Sequence, residues 1–300
     1  IKGKIRAVSK TRKVTRAMEA VSAVKMRKSQ ATAISGRPYA ITALSILSKI
    51  SKVRDAATHP LLQKRPLQKL LLIVVTSDKG LAGTFNASVL RKAAEVIAQS
   101  KLATENISVL ALGKKAAEFF TSRGYNVVKR HENISDDVKL DDLAIIAEKA
   151  SEFYAEGRAD KVVAVYTNFI TTLTQIAIAR DLLPLDTEAL QKLVSEITPT
   201  HGRYADLKAS NALPVASYTF EPGQEEVLNS LLPRLFSVAL YHALLESKAS
   251  EHSARMVAMK NATEKAGELE EDLTRVFNKT RQAQITREVS EITSGIEVMG

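Results

Sequence analysis

Neither cysteine nor tryptophan occurs among the 300 residues of the chain. The first absence excludes disulfides, thiolate metal sites and a cysteine nucleophile, and it is compatible with a reducing compartment. Long apolar runs are also missing. The longest is Leu70 to Val75, far short of the roughly 20 residues that a membrane-spanning helix needs. No stretch has the apolar centre of a signal peptide, so any membrane role is expected to be peripheral. The chain opens on Ile1 rather than Met, so further residues are expected to precede it. Proline and glycine are sparse at the start: residues 1–58 hold only Pro38, Gly3 and Gly36.

What is present is an ordinary globular mixture with an uneven charge. Hydrophobic residues make up 45% and charged residues 25%, enough for a buried core. The net charge is +10, and much of it lies at the start. Lys2, Lys4, Arg6, Lys10, Arg12, Lys13, Arg16, Lys25, Arg27 and Lys28 face a single acid, Glu19, within the first thirty residues. Such a run can meet nucleic acid, an anionic membrane surface or an acidic protein, or it can be a solvated helix face. No Phe, Tyr or Trp interleaves these charges, so stacking on single-stranded nucleic acid has no platform.

The pattern divides the chain into three zones. Over residues 1–58, Ile5, Val8, Val14, Met18, Val21, Ile34, Ile41, Leu44 and Leu47 recur at helical spacing and predict a long helix with a narrow apolar stripe. Gly36-Arg37-Pro38 predicts an irregularity in it, and His59-Pro60 a break. Residues 68–197 alternate between strand and helix signals. Strands are expected at 70–76, 107–112, 125–129, 161–167 and 172–180, the last two forming a hairpin. Helices are expected at 85–99, 114–122, 140–155 and 188–196. That alternation predicts an α/β layer fold with a largely parallel sheet. Residues 223–297 read as a second long helix, with Leu228, Leu231, Leu232, Leu235, Val238, Leu269, Leu273, Val276, Ile285, Val289, Ile292 and Ile296 on its apolar rhythm and Pro233 as a kink. The C-terminal stretch from Glu264 to Asp272 is more acidic than the basic N-terminal helix. Antiparallel pairing of the two ends as a coiled coil is therefore expected, although the heptads are irregular. Two helices packed separately on the middle domain remain the alternative.

The sequence holds no assembled catalytic motif. Ser77-Asp78-Lys79-Gly80-Leu81-Ala82-Gly83-Thr84-Phe85-Asn86 follows the first strand and opens a helix, where α/β folds often hold phosphate. Its glycines do not make G-x-G-x-x-G, and no G-x-x-x-x-G-K-[ST] is present. Gly113-Lys114-Lys115 lacks the hydroxyl that would hold magnesium. Ordinary strand-to-helix turn chemistry is expected at both places. His59, His131, His201, His242 and His252 form no zinc-binding spacing, and there is no G-x-S-x-G elbow. Asp136-Asp137 and Asp141-Asp142 are expected to be charges at a helix start. The residues leave open an α/β enzyme with helical arms, a basic nucleic-acid-binding coiled coil and a mechanical interaction subunit.

Three segments narrow the choice. Lys13-Val14-Thr15-Arg16-Ala17-Met18-Glu19-Ala20-Val21 with Lys25-Met26-Arg27 is the first. Thr76 through Asn86 is the second. Ser250-Glu251-His252-Ser253-Ala254-Arg255-Met256-Val257-Ala258-Met259-Lys260-Asn261-Ala262-Thr263, with Phe277 through Glu288, is the third. Together, in this order, they resemble the γ subunit of the F-type ATP synthase, with bacterial-like wording at the N-terminus and without the cysteine-bearing insertion of chloroplast members. The family often has Cys where Ala82 stands. The resemblance implies an α/β fold class: a long antiparallel coiled coil of the terminal helices plus a central Rossmann-like domain. It implies a non-catalytic rotor, coupling proton or sodium flow to ATP synthesis or hydrolysis in β subunits, and no cofactor or metal of its own. Expected partners are the α and β subunits of an α3β3 ring, the ε subunit and the membrane c-ring, with no nucleic acid. The expected location is the cytoplasmic side of the cell membrane, or alternatively the mitochondrial inner membrane. Residues implied to contact β are Lys13, Arg16, Met18, Arg255, Gln282 and Thr286.

Overall fold

Six consecutive apolar residues, Leu70–Val75, form the central strand β1, and every one of them is buried. A strand with no polar alternation needs cover on both faces, which is the signature of a parallel sheet between helical layers. The computed structural model of the chain shows this arrangement and describes residues 1–35, 59–185 and 223–299. After helix α1 (Lys2–Ser35) come β1, α2 (Phe85–Ser100), β2 (Ile107–Leu112), α3 (Lys114–Thr121) and β3 (Asn126–His131). Then follow α4 (Leu140–Ala155), β4 (Lys161–Phe169), β5 (Gln175–Leu183) and α5 (Gln224–Met299). The expected irregularity at Gly36–Pro38 and the expected helix over 188–196 lie outside the described residues.

The sheet order is β3-β2-β1-β4-β5. β1 pairs in parallel with β2 and β4, and β2 with β3. β5 returns antiparallel to β4, from Phe169↔Gln175 to Val162↔Leu183, as a hairpin requires. Successive side chains of β1 point to opposite faces, and two cores follow. Leu70, Leu72 and Val74 join Val89 and Ala93 of α2 and Ala116 and Phe120 of α3. Leu71, Ile73 and Val75 join Leu143 and Ile146 of α4, and Leu235, Phe236, Leu240 and Leu244 of α5. Fully burying each such side chain contributes roughly 1.5–3 kcal/mol. The first third of α5 is thus a layer of the α/β core, and α5 runs through Pro233 without interruption. At the predicted break, His59 is extended, and its Nδ1 accepts from the Leu61 amide to start a 3-10 turn at Pro60–Leu62.

The chain packs as two compact units, residues 25–254 and residues 1–24 with 255–300. The second is a pair of helical segments. Thr263 Oγ1 donates to Thr15 Oγ1 at 2.7 Å, and Arg12 reaches Glu270 at 3.3 Å. Moving back along α1 from Thr15 to Arg12 moves forward along α5 from Thr263 to Glu270, so the segments run antiparallel.

The seam between these segments follows the expected apolar stripe only in part: Ile5, Val8, Met18 and Leu273 are half-buried. Val14 and Val21 are 51% and 55% exposed. Thr15 and Ser22, seven residues apart, are buried instead. On α5, Met259 and Gly267 are buried, and Ala262, Thr263, Ala266, Glu270, Leu273 and Phe277 are half-buried. Among them Met259, Thr263, Ala266, Glu270, Leu273 and Phe277 follow the alternating four- and three-residue spacing of a heptad seam. The geometry is regular and the residue types are not, because small and polar side chains occupy positions that usually carry Leu or Ile.

Candidate functional site

The reversal of strand order between β1 and β4 is where open α/β sheets bind ligands, beyond the carboxyl ends of the strands. In this chain that place is filled from within. A helix begins with four amide N–H groups that lack helical partners, which is why phosphates settle there. The first amides of α3 are all taken. Lys114 N–H donates to Asp78 Oδ1 at 2.9 Å, and Lys115 N–H to the Ser77 carbonyl at 3.2 Å. Ala116 N–H donates to Thr76 Oγ1 at 2.8 Å, and the N-cap Gly113 N–H to the His131 carbonyl at 2.8 Å. The other oxygen of Asp78 accepts from the Asn133 amide at 2.9 Å. A carboxylate of the chain itself stands where a nucleotide phosphate would sit in such folds.

Gly113 makes this closeness possible. Its φ of +104° suits glycine, and a Cβ there would collide with the Thr76 carbonyl. The crevice above is closed by Leu244, Ser247 and Lys248 of α5, leaving room for about one water molecule. Among the described residues no cluster of His, Asp and Glu could hold a metal ion, and no helix is long and apolar enough to cross a membrane.

The surfaces left for chemistry are those of the helices. Lys13 and Arg16 are exposed on α1, and Met18 is half-buried beside the seam. At 3.6 residues per turn, Lys13 and Arg16 lie along one strip of α1 and Val14 and Val21 along the neighbouring one, while Val24, eleven residues on from Lys13, returns to the Lys13 side. Val24 is 67% exposed. The helix therefore presents a basic ribbon and an apolar ribbon, side by side around its free circumference. Gln282 and Thr286 are exposed on α5, one turn apart, and the Thr286 hydroxyl donates to the Gln282 carbonyl at 2.9 Å. Ile285, Val289 and Ile292 form an exposed apolar ridge beside them. Arg255 differs from the other five residues expected to meet a partner: it is only 9% exposed.

Two expectations about charge are corrected. Asp142 does serve a helix start, since its Oδ2 accepts from the Lys139 amide at 2.9 Å ahead of α4. Asp136 and Asp137 do not. Asp136 pairs with Lys25, Lys248 and His252, and Asp137 with Lys28. Lys25 and Lys28 are consequently paired within the α/β unit, with side chains still 48% and 60% exposed. The His252 hydrogen bond, then those from Lys25 and the charge of Lys248, hold the Asp136 carboxyl well below the usual carboxylate range, against the opposing effect of burial. Sequence reasoning missed this cluster because its members are more than a hundred residues apart. The i,i+4 spacing of Lys248 and His252 is the one local sign that both share a helix face.

Comparison with known proteins gives a consistent answer. Residues 1–299 match the family described as ATP synthase. The ATP synthase gamma chain of Roseiflexus castenholzii is 42% identical over 297 residues, covering 98% of this chain and 96% of that protein. That of Heliobacterium modesticaldum is 36% identical over 300 residues, covering 100% and 98%. Among solved structures, the central stalk and c-ring of the Tetrahymena thermophila mitochondrial ATP synthase holds a chain 26% identical, with a TM-score of 0.59 over 83% of this chain and 99% of that one. A chain of the Euglena gracilis mitochondrial ATP synthase shares the fold at 18% identity, with a TM-score of 0.65 over 99% and 93%. With the family match spanning almost every residue and two relatives at 42% and 36% identity over nearly their full length, the chain belongs to the ATP synthase gamma-chain family.

Proposed function

We propose that this chain is the central-stalk rotor of an F-type ATP synthase and carries no catalysis of its own. It turns inside a ring of α and β subunits, with the ε subunit and the c-ring as its other partners. Ion flow through the membrane sector is thereby coupled to ATP synthesis or hydrolysis in β. The complex sits on the cytoplasmic side of a bacterial cell membrane; the mitochondrial alternative has no support among the bacterial relatives.

The observation that carries the reading is the uneven circumference of the helical unit. A shaft that drives several identical neighbours through different states must show each a different surface at each angle. The basic ribbon of Lys13 and Arg16 and the apolar ribbon of Val14 and Val21 supply such a difference. The internally filled switch point supports a role without nucleotide. Met18, Gln282, Thr286 and Arg255 are proposed β contacts together with the basic ribbon. Arg255 meets β only if its covering side chains move aside.

Complementary charge chiefly sets register and salt dependence. Co-purification with α and β subunits at rising salt tests the reading. The chain is expected to form a stable complex with ATPase activity, and Lys13→Glu with Arg16→Glu to lower that activity by about tenfold. A wild-type chain that never joins α and β would sink the proposal. Full activity in the double variant would remove only the basic ribbon from it.

A further inference from the structure

Asp136 is one side chain on the loop between β3 and α4, yet it touches both long helices, and it does so with different oxygens. Oδ1 meets Lys248 Nζ at 3.3 Å and His252 Nε2 at 2.9 Å, both on α5. Oδ2 meets Lys25 Nζ of α1 at 2.8 Å. Lys248 also donates to the Ile134 carbonyl at 2.7 Å, and Tyr241, two turns earlier on α5, donates to the Val138 carbonyl at 3.1 Å. The loop is therefore fastened along one face of α5 by three side chains. The side chains of Lys248 and His252 are 10% and 6% exposed, while that of Lys25 is 48% exposed.

The place along the helices matters as much as the chemistry. The α/β unit ends at Lys25 on α1 and at Ala254 on α5, and both helices run on from there into the paired unit. α5 has a wide apolar seat on the sheet through Leu235, Phe236, Leu240 and Leu244. α1 has no comparable seat among the described residues: within this unit its buried side chains are Met26 and Ser29, and its ion pairs are those of Lys25 and Lys28.

Resting on the rotor reading above, we propose that Asp136 is a positioning residue for energy coupling, a lock that ties α1 to α5 and to the sheet at the root of the shaft. Each carboxylate oxygen takes one helix, so the angle of α1 about α5 is fixed there. Torque entering through the α/β unit reaches both helices instead of α5 alone. A carboxylate held between two lysines and a histidine resists sliding better than a single exposed ion pair, which contributes little. The Lys28–Asp137 pair is of that weaker kind, with both side chains more than half exposed.

The test compares the complete membrane enzyme carrying Asp136→Asn, Lys25→Gln, both changes, Lys25→Arg or Lys28→Gln. The readout is ATP-driven proton pumping divided by ATP hydrolysis, which a loss of stability alone does not move. Asp136→Asn should lower this ratio by about threefold or more, Lys25→Gln by less, and the double variant no further than Asp136→Asn, because the two act on one link. Lys25→Arg should restore the ratio, and Lys28→Gln should leave it unchanged. If Asp136→Asn fails to assemble, half-exposed Lys25 decides the matter. A wild-type ratio in Lys25→Gln, or strictly additive losses in the double variant, overturns the lock. A wild-type chain that does not assemble with α and β would overturn the rotor reading instead.

Discussion

Single residues decide what the α/β unit can and cannot do. Gly113 lets the start of α3 lie against the end of β1, and Asp78, Ser77 and Thr76 then consume its free amides. Gly113→Ala forces a Cβ into the Thr76 carbonyl at a backbone angle that L residues avoid. It should cost about 2–4 kcal/mol, read as a lower midpoint in urea unfolding. An unchanged midpoint would show that the loop relaxes freely.

Asp136 gives the pH counterpart. Its folded-state carboxyl titrates below its unfolded value, so between those two values the unfolded chain binds more protons. Its contribution is then fully present above about pH 4 and is lost as the pH falls further. Wild-type stability should therefore fall more steeply below about pH 4 than that of Asp136→Asn. Parallel acid limbs would contradict the pairing. The sequence shows Asp136 only as an acid near a helix. Its partners become visible once the fold joins residues 25, 136, 248 and 252.

Elements show which sequence signals carry over to structure. β1, β2 and α4 are legible to within a residue because six-residue apolar runs and a 3.6-residue rhythm each have one good solution. The helix pair is legible in its length, since Pro and Gly are nearly absent, but not in its facing. The apolar signal of α1 comes from Val14 and Val21, one position away from Thr15 and Ser22, which are the residues covered. Some large apolar side chains point outward while Met259, Leu273 and Phe277 are covered, so periodicity mixes the free surface with the seam. Gly267 sits in that seam, and an added Cβ would only touch the Arg12 guanidinium at 3.5 Å. Gly267→Ala should therefore raise stability by about 0.5–1 kcal/mol through helix propensity, seen as a higher Tm. A lower Tm would mean that the seam is tighter there than that distance indicates.

For the whole molecule, the two units divide the work. One builds a core on both sides of a sheet and fills its own ligand crevice with Asp78 and α5. The other exposes two chemically different ribbons on paired helices. Together they suit a part that is pushed and pushes. The proposed partner residues Lys13, Arg16 and Met18 lie in one motif of the sequence. The burial of Arg255 is not legible there, because nothing local marks a covered arginine.

The most direct measurement is single-molecule observation of the chain assembled with α and β subunits and held by the ring, with a probe on the α/β unit. On ATP addition the probe should turn continuously in one direction and stop when ATP is withdrawn. ATP hydrolysis at a normal rate with the probe still, or wandering in both directions, would contradict the rotor account.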